Sequence, residues 1–190
     1  MRSILRLGFG GLAVALLMGC ADRDPVSPVS EVSTAFSRGA DVTTTAMHAA
    51  PQRNFVAVLS SADAGTDSKS RGVAKFQLSL DGTEVSYRLN VANIDNLLMA
   101  HIHLAPAGQN GPIAVWLYPD GPPPQLITGR FSGVLATGTI TDADLVGPLA
   151  DMTIADLVQQ LEAEMGYVNV HTLQHPPGEI RGQISIPRGR

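Results

Sequence analysis

A single cysteine, Cys20, among 190 residues excludes an intramolecular disulfide framework, a zinc finger built on several thiolates and an iron–sulfur cluster. Charge is also scarce: 16% of the residues are charged, 13 Lys and Arg against 17 Asp and Glu, for a net charge of −4. The few cations are scattered, so no broad basic surface awaits phosphates, and nucleic acid is not an expected partner. Apart from residues 7 to 19 the chain lacks a long apolar run, and that run is too short to span a bilayer. The Gly108, Gly111 and Pro112 turn has no Lys at phosphate-loop spacing and no following helix, so it is not a phosphate cradle. No basic side chain is placed to activate a serine, and no further cysteine serves as nucleophile, which removes support for hydrolase chemistry. What the chain does have is 19 Gly and 13 Pro, without a three-residue period. Short strands joined by tight turns are expected, and a collagen-like chain is excluded.

The first twenty residues read as an address. Arg2 and Arg6 precede the uncharged run from Leu7 to Gly19, the charged and apolar regions of a secretory signal. It ends in Leu17-Met18-Gly19-Cys20, which resembles the bacterial lipobox, and the sole cysteine occupies the position that is acylated. The expected organisation is a lipoprotein signal peptide over residues 1–19, a flexible tether over 20–53 rich in Ser, Thr, Pro, Ala and Asp, and a folded domain over 54–187. Lipidation at Cys20 implies an extracytoplasmic protein anchored to a membrane of the bacterial cell envelope without spanning it. His48 falls in the tether and is assigned no role.

Beyond the tether, period-two alternation recurs in short blocks bounded by turn residues, as half-buried antiparallel strands require. It predicts strands over 55–59, 73–80, 84–91, 98–104, 113–118, 130–139, 167–173 and 179–186. Asp81-Gly82 and Asn110-Gly111 mark turns. One helix is expected near 153–165, with Thr153 as N-cap, Asp156 in its first turn, Gly166 as stop, and an apolar stripe of Ile154, Leu157, Val158, Leu161 and Met165. About eight short strands and one helix fit an all-β fold, a Greek-key β-sandwich or a partly open barrel.

Two stretches are distinctive: Ala100-His-Ile-His-Leu-Ala-Pro-Ala-Gly-Gln-Asn-Gly-Pro112, and Tyr167-Val-Asn-Val-His-Thr172 continued by Pro177-Gly-Glu-Ile-Arg-Gly-Gln-Ile184. They resemble the signature blocks of the CHRD (chordin-type) domain, and the resemblance covers about residues 54 to 187. The segment from Ser60 to Gly72 departs from the pattern, standing where the family has an acidic, Pro-rich stretch. The resemblance implies an all-β extracytoplasmic module from a family without a settled enzymatic activity, so it transfers fold better than function.

Alternation alone fixes which residues share a face. Leu98, Ala100, Ile102 and Leu104 point one way, and His101 and His103 the other; Tyr167, Asn169 and His171 oppose Val168, Val170 and Thr172; Glu179, Arg181 and Gln183 oppose Ile180, Gly182 and Ile184. If these strands are neighbours, one polar face gathers His101, His103, Asn169, His171, Glu179 and Arg181. Two histidines at i and i+2 suit convergence on one metal, His171 offers a third nitrogen, and Glu179 offers an oxygen or an acceptor that orients a ring. Three imidazoles favour copper or zinc over hard cations. The pattern loosely resembles the His-x-His strand of copper–zinc superoxide dismutases, but there is no disulfide pair or evident zinc loop, and His175 sits in a Pro-flanked loop. Against the metal stands a structural network in which the imidazoles bond to backbone carbonyls and Glu179 pairs with Arg181 or a ring. Trp116 and Tyr118 share a face opposite Ile113, Val115 and Leu117; packing, or a glycan or protein contact, would use them. The sequence therefore favours a lipid-anchored, non-enzymatic binding or structural module with an unidentified protein or glycan partner. A copper- or zinc-binding protein is the alternative, and a superoxide-dismutase-like oxidoreductase a third reading.

Overall fold

The computed structural model describes residues 53–187. Cys20, His48, the signal segment and all of the expected tether but Arg53 lie outside the described residues. The described chain forms β1 (Asn54–Ser60), a single helical turn α1 (Ser61–Ala64), β2 (Arg71–Leu78), β3 (Val85–Leu104), β4 (Ile113–Tyr118), β5 (Ile127–Ile140), α2 (Ile154–Glu162), β6 (Gly166–Thr172) and β7 (Ile180–Ser185).

All pairings are antiparallel, and the order β2-β1-β7-β6-β3 closes on itself through β2 and β3. The result is a closed five-strand barrel, which leaves none of its strands with an open edge. The two remaining strands lie outside the barrel on β3: β5 along its first part, β4 on its second. The all-β expectation holds in this form.

Seven strands stand where eight were expected, because the segments 84–91 and 98–104 belong to one 20-residue strand. Asn93 and Asn96 between them take φ of 58° and 52°, a left-handed conformation that asparagine tolerates better than other side chains. The pairing with β5 shifts register on both sides of Ile94. These irregularities bend the strand without ending it, and they break the alternation that marks a strand in the sequence.

Inward residues of the five barrel strands make the core: Phe55, Ala57 and Leu59 face Ala74 and Phe76, Leu89 and Val91, Ala100 and Ile102, Val168 and Val170, and Ile180 and Ile184. Each end is closed differently. At one end lies α2, where the Asp156 carboxylate accepts from both the backbone N–H and the hydroxyl of Thr153, with Ile154, Leu157, Val158 and Leu161 buried. Leu161 packs so closely on Gly166 that a Cβ there would come within 2.6 Å of its Cδ2. Gly166 thus opens β6 under the helix; the helix itself ends at Glu162, and Glu164 takes the left-handed turn with φ 54°. The opposite end is polar. There the Glu179 carboxylate accepts hydrogen bonds from the hydroxyls of Ser68 at 2.6 Å, Ser70, and Thr172 at 2.7 Å.

Candidate metal centre

The outer face of β4, β3, β6 and β7 carries the distinctive residues in rows set by strand register. His101 lies opposite Trp116 on one side and Asn169 on the other, and Asn169 lies opposite Arg181. His103 lies opposite Tyr167, and His171 opposite Met99. This face points away from the barrel core, as alternation requires, yet His101, His103 and His171 are only 0%, 8% and 5% exposed. The segments 105–112 and 173–179 bond onto it: Arg181 donates to Asn110 Oδ1 and the Gln109 carbonyl, and Asn169 donates to the Pro177 carbonyl.

Hydrogen bonding identifies the ring nitrogens that remain free. Nδ1 of His103 lies 2.9 Å from the Gly111 carbonyl, and Nδ1 of His171 lies 2.8 Å from that of Pro176. A carbonyl only accepts, so both Nδ1 atoms carry the hydrogen and both Nε2 atoms hold a lone pair. The turn that supplies the first carbonyl requires glycine, since a Cβ at Gly111 would collide with the Leu104 carbonyl oxygen. Nδ1 of His101 lies 3.3 Å from Nε2 of His171. Nε2 of His101 and Nε2 of His103 are buried without a hydrogen-bond partner, as is Oδ1 of Asn169. One nitrogen from each of the three rings lies within 4.8 Å of the others. Two nitrogens bound tetrahedrally at about 2.0–2.1 Å from one ion are about 3.3 Å apart, so the His101–His171 pair is already at ligand spacing.

Aromatic rings frame the cluster. His103 stacks on Tyr167 with centroids 5.0 Å apart and planes 10° from parallel, and the Arg181 guanidinium lies 3.8 Å above the other ring centre of that contact, Tyr167. Tyr167 also accepts from the Gly111 N–H through its hydroxyl. Trp116 meets His101 edge to face at 4.2 Å. Alternation placed Tyr167 on the face of Asn169 and His171, and Trp116 on a face with Tyr118, but nothing in the sequence marks either as part of this frame.

Burial keeps the imidazoles neutral. His101 is held down to about 3, by desolvation first and then by the charges its neighbours His171 and His103 would carry. His103 and His171 are also lowered, again chiefly by burial, against the raising effect of the Gly111 and Pro176 hydrogen bonds. At neutral pH the cluster therefore presents lone pairs without proton competition.

Glu179 is not among them. Its partner Thr172 belongs to the inward face of β6, opposite His171, so the carboxylate closes the polar barrel end instead of joining the imidazoles. Burial pushes this carboxyl up, but the hydroxyls of Ser68, Ser70 and Thr172 outweigh it and hold the group below the usual range, with His175 adding to the effect. Arg181 does not pair with it; its guanidinium is spent on Tyr167, Asn110 and Gln109. Among the described residues, no other His, Cys, Asp or Glu joins the three histidines.

Comparison with curated proteins gives no significant match. The model of the CHRD domain matches residues 55–184, from the first strand of the barrel through the last. That match spans well over half of the chain and includes all three histidines, so this chain belongs to the CHRD domain family.

Proposed function

We propose that this chain is a non-enzymatic CHRD-domain module that binds one copper or zinc ion through His101, His103 and His171, and that acts at a bacterial cell envelope on a lipid anchor at Cys20. One observation carries the metal reading: three buried, neutral imidazoles each offer a nitrogen within 4.8 Å of the others, and the His103 lone pair at Nε2 is buried without a hydrogen-bond partner. A buried lone pair that accepts nothing is costly, and an acceptor of its electron pair relieves that cost. A metal ion does so at once. The Nδ1–H bonds to Gly111 and Pro176 are the outer contacts that metal-ligating histidines make, fixing tautomer and ring orientation. Imidazole suits copper and zinc among the common ions.

The test is metal analysis of the protein purified without a polyhistidine tag, followed by calorimetric titration with Cu(II) and Zn(II) near pH 7.5. One equivalent of either ion, or of Cu(I) under ascorbate, bound more tightly than about 10 μM supports the reading, and weaker binding of all three removes it. The anchor is supported by the lipobox alone. Fatty-acid labelling of cells expressing the wild type and Cys20→Ser checks it: equal labelling, or none in either, rules the anchor out.

A further inference from the structure

The charge balance around the three histidines discriminates between metals. The ligand set itself is neutral, because the one carboxylate that strand alternation would have placed here, Glu179, is turned to the barrel end and engaged by three hydroxyls. The formal charge nearest in the stacking order is positive: the Arg181 guanidinium rests on Tyr167, which stacks on His103. Arg181 bonds to the Asn110 side-chain oxygen and the Gln109 carbonyl, both neutral, so its charge is not cancelled. Among the described residues the one ion pair within 4 Å joins Arg130 to Asp95, on exposed side chains elsewhere.

From this we infer that the site selects a cuprous ion over zinc or cupric ion. The inference rests on the metal-binding reading of the same residues. Desolvation cost grows with the square of the charge, so a dication entering a buried site with neutral ligands loses about four times the hydration of a monocation of similar size. The uncancelled guanidinium adds to this. Over roughly 10 Å at an effective dielectric of about 20, each further unit of charge weakens binding by about tenfold or somewhat more. Coordination adds to this only through burial: three nitrogens complete a trigonal shell for Cu(I), whereas Zn(II) held by three histidines also needs a water in its fourth position. No fourth side chain of the ligating types supplies the missing contact among the described residues.

The experiment uses the full chain carrying Cys20→Ser, so that no thiol competes for Cu(I). Cu(I) affinity is measured anaerobically with ascorbate present by competition with bicinchoninate, and Zn(II) and Cu(II) affinities by competition with chromophoric chelators. Cu(I) is expected to bind about 1,000-fold more tightly than either dication. Arg181→Gln should narrow that ratio by about tenfold, and Arg181→Lys, which keeps the charge, should retain it, with thermal melts confirming that both variants fold. Zn(II) or Cu(II) affinity within tenfold of Cu(I) overturns the selection while leaving the metal site standing. Binding of no ion overturns both. A ratio that Arg181→Gln leaves unchanged in a folded protein overturns the part assigned to the guanidinium.

Discussion

Replacing Glu179 separates holding the barrel end from holding a metal. In Glu179→Ala the hydroxyls of Ser68, Ser70 and Thr172 lose a shared charged acceptor in a site where the glutamate is only 5% exposed. Three charge-assisted bonds would suggest a larger loss, but in the variant the one Ser70 hydroxyl hydrogen can pass wholly to the Asn93 carbonyl at 2.7 Å, and Thr172 still accepts from the His175 N–H, so part of the network survives. The expected cost is about 3–4 kcal/mol. Glu179→Gln keeps the oxygen that Ser68 and Ser70 share, and its amide can donate to Thr172, so about 1–2 kcal/mol is expected. Urea unfolding of both variants at pH 7 measures these values, with an unchanged m-value confirming two-state behaviour. Metal affinity should stay within about twofold of the wild type in the glutamine variant. Because the folded carboxyl titrates below its ordinary value near 4.5, its contribution is complete above that value and is lost as pH falls through the folded one. The glutamine variant should therefore show a shallower acid limb. Unchanged stability together with lost metal affinity would refute the reasoning and return Glu179 to the ligand set.

Gly178→Ala should destabilise the domain by about 2–3 kcal/mol and weaken metal binding, because φ there is +128° and a Cβ would collide with the Asn169 side-chain oxygen, in the turn that also carries the Pro176 acceptor of His171; a melting temperature within about 1 °C of the wild type contradicts this. The metal-free domain should lose stability as pH falls below about 6.5, since the buried imidazoles have folded values below their unfolded ones and contribute fully only above the latter; denaturant midpoints that stay flat from pH 7 to 5 would contradict their burial as neutral rings. A chain beginning at Pro51 should unfold as cooperatively as the full one, because it retains Arg53, whose guanidinium bonds to the Leu78 carbonyl across the first hairpin. A broadened calorimetric transition would show that earlier residues contribute to the core.

Alternation carried much of this fold into view. It placed β4, which lies outside the barrel, with its observed ends, and β1, β6 and β7 within a residue of theirs, since these three barrel strands turn alternate side chains onto the core. It failed where the backbone leaves that period. At Asn93 and Asn96 the left-handed kinks moved Leu97 to a fully buried position that strict alternation from Ala100 assigns to the other face. Barrel closure was not legible either, because the β2–β3 and β1–β7 pairings join segments whose register depends on tertiary contact. For the site, the three histidines were recoverable because their strands are neighbours, and so was Arg181 on their face. Glu179 was not, because it precedes β7, and alternation does not govern a residue whose backbone is still entering the sheet. Nor did the pattern reveal that a polar outer face would be buried. That follows from the loops at 105–112 and 173–179, whose Gly111 and Gly178 allow backbone to press against the histidine and asparagine side chains.

The most direct test is to compare the untagged wild type with His101→Ala/His103→Ala in one metal titration under reducing and non-reducing conditions. The wild type should take up one equivalent of metal, and the double variant should lose at least about 100-fold in affinity, since one imidazole remains of three. Equal affinity in a folded double variant, or no uptake tighter than about 10 μM by the wild type in either condition, would contradict a metal centre at these three histidines.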